Sequence, residues 1–144
     1  MALWQFDCYI IPRGNYVAEN KIVADDILSW KNKDVPLIQI DFLEKQPSWT
    51  ESIVQYGKVD EACIQFFYEG GLLEEINCRF DLRSLSKIML KNILEFVQEI
   101  EGMIFCEDKI YCPNVVEMVE LMKKSNASKF CKNPIGYFDK LSNS

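Results

Sequence analysis

Two runs in the middle of the chain constrain the fold most. They read Ala62-Cys63-Ile64-Gln65-Phe66-Phe67-Tyr68 and Glu75-Ile76-Asn77-Cys78-Arg79-Phe80-Asp81-Leu82, with Gly70-Gly71 between them. In the second run Ile76, Cys78, Phe80 and Leu82 alternate with Glu75, Asn77, Arg79 and Asp81. A strand sorts such a period of two onto opposite faces. Together the runs predict an antiparallel hairpin with one apolar face and one wet face. Register follows by arithmetic. A two-residue Gly70-Gly71 turn would set Ile64 opposite Asn77 and Phe66 opposite Glu75, apolar against polar. Shifting by one sets Phe66 with Ile76, Ile64 with Cys78 and Ala62 with Phe80. That shift predicts a loop of odd length with a glycine at positive φ.

The remaining elements follow from the same periodicities. Trp4, Phe6, Cys8 and Ile10 alternate along a first strand that Pro12 to Asn15 stops, and Ala24 to Trp30 reads as a short helix. Leu37 to Phe42 has strand composition, and Pro36 makes it an edge strand or an ordered loop. Ser48-Trp49-Thr50-Glu51 has capping-box spacing and predicts a short helix from Trp49 to Gln55. After the hairpin a long helix is capped by Ser84 or Ser86, buries Leu85, Met89, Ile93, Phe96 and Ile100, and ends at Gly102. Met103 to Cys106 and Lys109 to Cys112 form a second hairpin around Glu107-Asp108. Asn114 with Glu117 starts another helix, with Val115, Met118, Val119 and Met122 inward. A last short helix opens at Asn133-Pro134 and presents Ile135, Phe138 and Leu141. This order predicts an α+β fold, an antiparallel sheet of about five strands with helices packed on one face. Without its edge elements it approaches the split βαβ plan.

Residues 1–144 carry no repeat, linker or low-complexity tract, and 144 residues make one ordinary domain. Hydrophobic residues at 49% and charged residues at 26% provide for a normal core. No apolar run approaches the ~20 residues that cross a bilayer, so no membrane partner is expected. The N-terminus has no basic n-region and an early acid, Asp7, which predicts a cytoplasmic protein. In that setting the six cysteines read as buried, reduced thiols. Cys106 and Cys112 come nearest to a metal pair, and without a histidine partner they make no zinc signature. The net charge of −6 argues against nucleic acid, whose phosphates need clustered Lys and Arg, and it suits a basic protein partner.

The chain has no histidine, which removes the commonest proton-transfer side chain and metal ligand. No glycine-rich phosphate loop, nucleophile elbow or paired-cysteine motif fills the gap, so the expectation is no cofactor, no metal and no assigned catalytic residue. Glu75 and Asp81, six residues apart on one strand face, would be roughly 20 Å apart, too far to share a proton. Asp7 joins Asp81 only if their strands are neighbours. Cys131, between Lys129, Lys132 and a helix start, is the least unsuited nucleophile. Three arginines stand against thirteen lysines, and two of the three lie in Arg79-Phe80-Asp81-Leu82-Arg83. Guanidinium groups make fixed bidentate contacts that lysine cannot imitate. That stripe is either a solvated face, a structural ion pair at the strand-to-helix corner, or a recognition surface. Leu72-Leu73, beside the hairpin tip, either inserts into a partner or folds back over a core edge.

One further pattern comprises Trp49, Tyr56-Gly57-x-x-Asp60, Arg79-x-Asp81-Leu82-Arg83 and Ser125-x-Ala127-x-x-Phe130-x-x-Asn133-Pro134. It resembles a group of small, functionally unassigned bacterial α+β proteins over roughly residues 49–138. Tyr56-Gly57 stands where that pattern has Trp-Gly. The resemblance implies a bacterial, cytoplasmic α+β domain and no reaction; at class level the chain is also similar to immunity partners of secreted toxins. The expectation is a non-enzymatic interaction domain, with an immunity-type toxin inhibitor as one form of it. Its partner-binding residues would be Arg79, Asp81, Glu75, Arg83 and Leu72. The alternative is small-molecule binding or catalysis in a cleft lined by Trp4, Tyr9, Trp49 and Tyr111, and homodimerisation through the sheet is a third arrangement.

Overall fold

A computed structural model describes residues 5–13, 16–17, 21–22, 28–31, 40–47, 50, 52–58, 62–82, 85–107 and 109–124. Its elements are β1 (Gln5–Pro12), β2 (Tyr16–Val17), β3 (Lys21–Ile22), β4 (Ile53–Gly57), β5 (Ala62–Glu69), β6 (Leu72–Asp81), α1 (Lys87–Glu99), β7 (Gly102–Cys106), β8 (Lys109–Tyr111) and α2 (Val115–Lys124). Six strands form an antiparallel sheet in the order β4-β5-β6-β1-β7-β8, and β2 pairs with β3 separately. The expected α+β class holds, with six strands rather than five. Because β6 and β7 each pair antiparallel with β1, they run parallel to one another, joined by α1. This is the split βαβ arrangement.

One face of the sheet carries the main core. Phe6, Cys8 and Ile10 of β1, Ile64 and Phe66 of β5, and Ile76, Cys78 and Phe80 of β6 are buried there. Both helices close over it with Leu90, Ile93, Phe96 and Val97 of α1 and Met118, Val119 and Met122 of α2. Phe66 stands edge-on to Phe96 of α1 with ring centroids 6.1 Å apart, and edge-on to Tyr56 of β4 at 5.9 Å. Such pairs add about 0.5–1.5 kcal/mol beyond the area they bury. Ser86 caps α1 by accepting from the Met89 amide at 3.1 Å. Asn114 starts α2, its Oδ1 accepting from the Glu117 amide at 2.9 Å.

The hairpin register is the expected one: Phe66 pairs with Ile76, Ile64 with Cys78 and Ala62 with Phe80. The device that produces it differs. The turn is the two-residue Gly70-Gly71, with φ of 60° and 81°, the double positive φ of a type I′ turn. A bulge beside Phe67 and Tyr68 then absorbs the odd residue: Phe67 faces Glu75 while Tyr68 faces Leu73, leaving Glu74 as the extra one. The slip takes place inside the ladder and not at the tip.

Several other expectations are corrected. The helix from Trp49 to Gln55 is displaced by strand β4, whose β-branched and aromatic Ile53, Val54 and Tyr56 pair with β5. The capping residues Ser48 and Glu51 lie outside the described residues, and between them the Thr50 hydroxyl accepts from the Ser52 amide at 3.3 Å. Of the 37–42 segment only residues 40–42 are described, and they take the loop alternative, while residues 44–46 cover the outer edge of β4. There Gly57 donates to Glu44 O at 2.7 Å and Gln46 to Gln55 O at 2.9 Å. Gly102 does not supply the left-handed end of α1: Glu101 does, at φ 57°. Gly102 belongs to β7, where an added Cβ would lie 3.0 Å from Ile10 Cγ2. Trp4, most of the 24–30 segment and the 133–141 helix lie outside the described residues.

Candidate functional site

The second face of the sheet is not uniformly wet. Register places Gln55, Gln65, Asn77, Tyr9, Phe105 and Ile110 in one row across all six strands. Along this row polar side chains occupy β4, β5 and β6, and apolar or aromatic ones β1, β7 and β8. In the apolar half Ile11, Met103 and Ile110 are buried, with Tyr9, Leu28 and Phe105 packed against them. In the polar half side chains satisfy one another. Gln65 Nε2 donates to Gln55 Oε1 at 2.8 Å, and Gln55 Nε2 donates to Gly57 O at 2.9 Å. Asn77 Nδ2 donates to Cys8 O at 3.2 Å, while its buried Oδ1 has no donor among the described residues.

Of the five residues expected to bind a partner, Arg79 lies directly opposite Asp7 and donates from Nε to Asp7 Oδ1 at 2.5 Å. Both side chains are only about a quarter exposed, so the pair is an internal strut more than an open anchor. β1 and β6 are neighbours as the Asp7–Asp81 idea required, yet Arg79 takes Asp7, and Asp81 pairs in register with Gln5. Asp81 is 2% exposed, which removes it as a surface anchor. Glu75 is half-buried and Leu72 is 55% exposed. Arg83 lies outside the described residues. The sequence placed Arg79 on the polar face correctly; Asp7, 72 residues away, carries no local signal of the pairing. A double-mutant cycle on Asp7→Asn and Arg79→Leu is expected to show about 1–2 kcal/mol of coupling in urea unfolding, between surface and buried values. Coupling near zero would mean a solvated pair.

Four thiols are held protonated. Burial pushes Cys63 up to about 11 and Cys106 up to about 12. Cys78, first through its contact with Cys8 and then through burial, is pushed well up, and Cys112 is raised mainly by desolvation and then by Glu117. Cys78 faces Cys8 across the β1–β6 ladder, and the β1–β7 register continues from Tyr9–Phe105 to place Cys106 on the other side. Among the described residues no group of three or more Cys, Asp or Glu is arranged to hold a metal. Cys8, Cys63, Cys78 and Cys106 are buried and free of disulfides, and Cys112 is exposed, against expectation. Cys131 lies outside the described residues. In a Cys131→Ser background an aromatic disulfide reagent is expected to titrate one thiol natively and the other four only on unfolding; two or more fast thiols would contradict this burial. A thiol that keeps its proton above the unfolded value of ~8.5 stabilises the fold fully below that pH. Unfolding free energy should then fall as pH rises from about 9 towards 11, less steeply in Cys63→Ala, as pH-dependent urea midpoints would show.

Among the described residues, two concavities border this framework. One, about 250 Å³, lies between α1 and α2, lined by Leu94, Glu95, Gln98 and Pro113 among others. The other, about 400 Å³, opens beside the hairpin tip and is lined by Ser52, Val54, Tyr68, Gly70 and Gly71. The four-aromatic cleft does not form as expected. Tyr9 faces Phe105 on the second face, whereas Tyr111 faces Ile104 on the core face, and Trp4 and Trp49 lie outside the described residues. Among the described residues these features define an α+β domain with an antiparallel six-stranded sheet, two helices on one face and a polar stripe containing the Asp7–Arg79 pair on the other. Comparison with protein-family models, curated proteins and solved structures found no match. Among the described residues no helix is long and apolar enough to cross a membrane.

Proposed function

We infer that this chain is a non-enzymatic, cytoplasmic protein-interaction domain whose partner is a basic protein, with an immunity-type inhibitor of a toxin as the form the sequence resemblance favours. One observation supports this reading above others: the groups best able to react are committed elsewhere. Burial holds the Cys63 and Cys106 thiols protonated, as the Cys8 contact and burial hold that of Cys78, and Arg79 and Asp7 neutralise each other. Side chains arranged this way shape a surface; they do not exchange protons with a substrate. The net charge of −6 steers a cationic protein towards it.

The test is recovery of a complex from the native host. One basic protein should copurify with the tagged chain in fixed stoichiometry, and the complex should re-form from the two purified chains at 150 mM salt. Elution of the chain alone at its 16.8 kDa mass would overturn the reading. Elution at twice that mass, with no second protein, would replace it with homodimerisation.

A further inference from the structure

We propose that the tip of the β5–β6 hairpin, on the sheet face away from the helices, docks an extended basic, amphipathic segment of a partner protein; this rests on the interaction-domain reading above. Register brings three apolar side chains together there. Ile53 pairs with Phe67 across β4 and β5, and Leu72 lies two pairs beyond, opposite Glu69 and on the same face. Ile53 and Phe67 are half-buried, and Leu72 is the most exposed large apolar residue of the sheet, at 55%. The bulge at Glu74 accounts for this orientation. Without the extra residue Leu72 would alternate onto the core face; with it, Leu73 packs against the core and Leu72 turns out.

Charge selects the occupant. Lys31 Nζ lies 3.1 Å from Glu69 Oε2 and 3.4 Å from Glu74 Oε2, and Glu75 stands next along the strand. Glu69 raises the Lys31 pKa, so the ammonium stays charged there. Two carboxylates, Glu69 and Glu74, share the one Lys31 ammonium, which leaves a negative surplus among these three groups, and the Glu69 side chain remains 71% exposed. An apolar patch rimmed by carboxylates fits a strand-like segment that alternates aliphatic and cationic residues, the former on Leu72 and Phe67 and the latter on Glu69. The turn offers no obstacle, because a Cβ added at Gly70 or Gly71 would meet nothing within 4 Å.

The test uses a blocked ten-residue peptide alternating lysine and leucine, titrated into the isotope-labelled full chain at 150 mM salt, with an all-lysine peptide and a glutamate–leucine peptide as comparators. Saturable amide shifts are expected at Ile53, Phe67, Glu69 and Leu72. Leu72→Ser should weaken binding at least tenfold and Glu69→Lys several-fold, while Ile88→Ser, on exposed α1 surface, leaves it unchanged. Shifts centred on the helices, unchanged affinity in Leu72→Ser, or equal binding of the glutamate–leucine peptide would overturn the tip proposal and leave the interaction-domain reading standing. No binding of either cationic peptide, together with a chain that elutes alone from its host, would overturn both.

Discussion

Replacing Trp30 by alanine is expected to remove about 3–5 kcal/mol of stability, enough to lower the melting temperature by about 10–20 °C. Trp30 is 2% exposed and is held at both ends. Its indole Nε1 donates to Ile10 O at 2.8 Å, and its backbone amide donates to Glu74 O at 2.9 Å. These acceptors sit where the β1–β6 pairing ends: the ladder stops at Ile10–Ile76, and the bulge at Glu74 draws β6 away. Trp30 fills that fork, and Lys31 fastens the next step to Glu69 and Glu74. Alanine would leave a cavity and a buried carbonyl without its donor, the latter costing about 1–3 kcal/mol when unsatisfied. Trp30→Phe separates the two effects, because it keeps most of the volume and loses the hydrogen bond. Urea unfolding followed by far-ultraviolet circular dichroism would rank them, with native-state hydrogen exchange at Ile76 as the local readout. A loss below about 1 kcal/mol for Trp30→Ala would show that the fork closes without it.

The β5–β6 pairing was legible because Ile76-Asn77-Cys78-Arg79-Phe80 alternates without a break and leaves one register in which apolar residues meet. The bulge was not, since Leu72-Leu73-Glu74-Glu75 alternates in neither phase and any of its residues can be the extra one. β4 was misread for a definite reason: Ser-x-x-Glu spacing describes a helix start only when the following residues lack a better partner. Ile53 to Gly57 has one in β5, a pairing settled by tertiary contact and not by local preference. Gly102 illustrates the same ambiguity, since a glycine after a helix reads as a cap whether it is needed for its φ or for the close approach of Ile10. The polar stripe was legible as a face and illegible as a site. Alternation puts Arg79 beside Glu75 and Asn77, but the Asp7 that holds it and the burial of Asp81 depend on segments distant in sequence.

Gly57→Ala should be the second severe substitution, costing at least about 3 kcal/mol, while Gly70→Ala should cost about 1 kcal/mol. Both glycines have positive φ, 83° at Gly57 and 60° at Gly70, so the backbone penalty of an L residue is similar at the two positions. The difference lies in what a methyl group would meet. At Gly57 it would sit 2.1 Å from Ala62 O, a backbone atom fixed by the β5 ladder, and 3.1 Å from Leu43 Cδ2. At Gly70 it would meet nothing within 4 Å. Relief at Gly57 requires the end of β4 to move off β5, which strains the Gly57–Cys63 pairing, the 2.7 Å bond from Gly57 N–H to Glu44 O and the 2.9 Å bond from Gln55 to Gly57 O. Urea midpoints compared at a common m-value, with amide exchange at Gln55 and Gly57, would measure both the cost and its location. Equal losses in the two variants would mean that β4 shifts without resistance, and the Gln55–Gln65 contact would then report a loosely held edge instead of part of a rigid face.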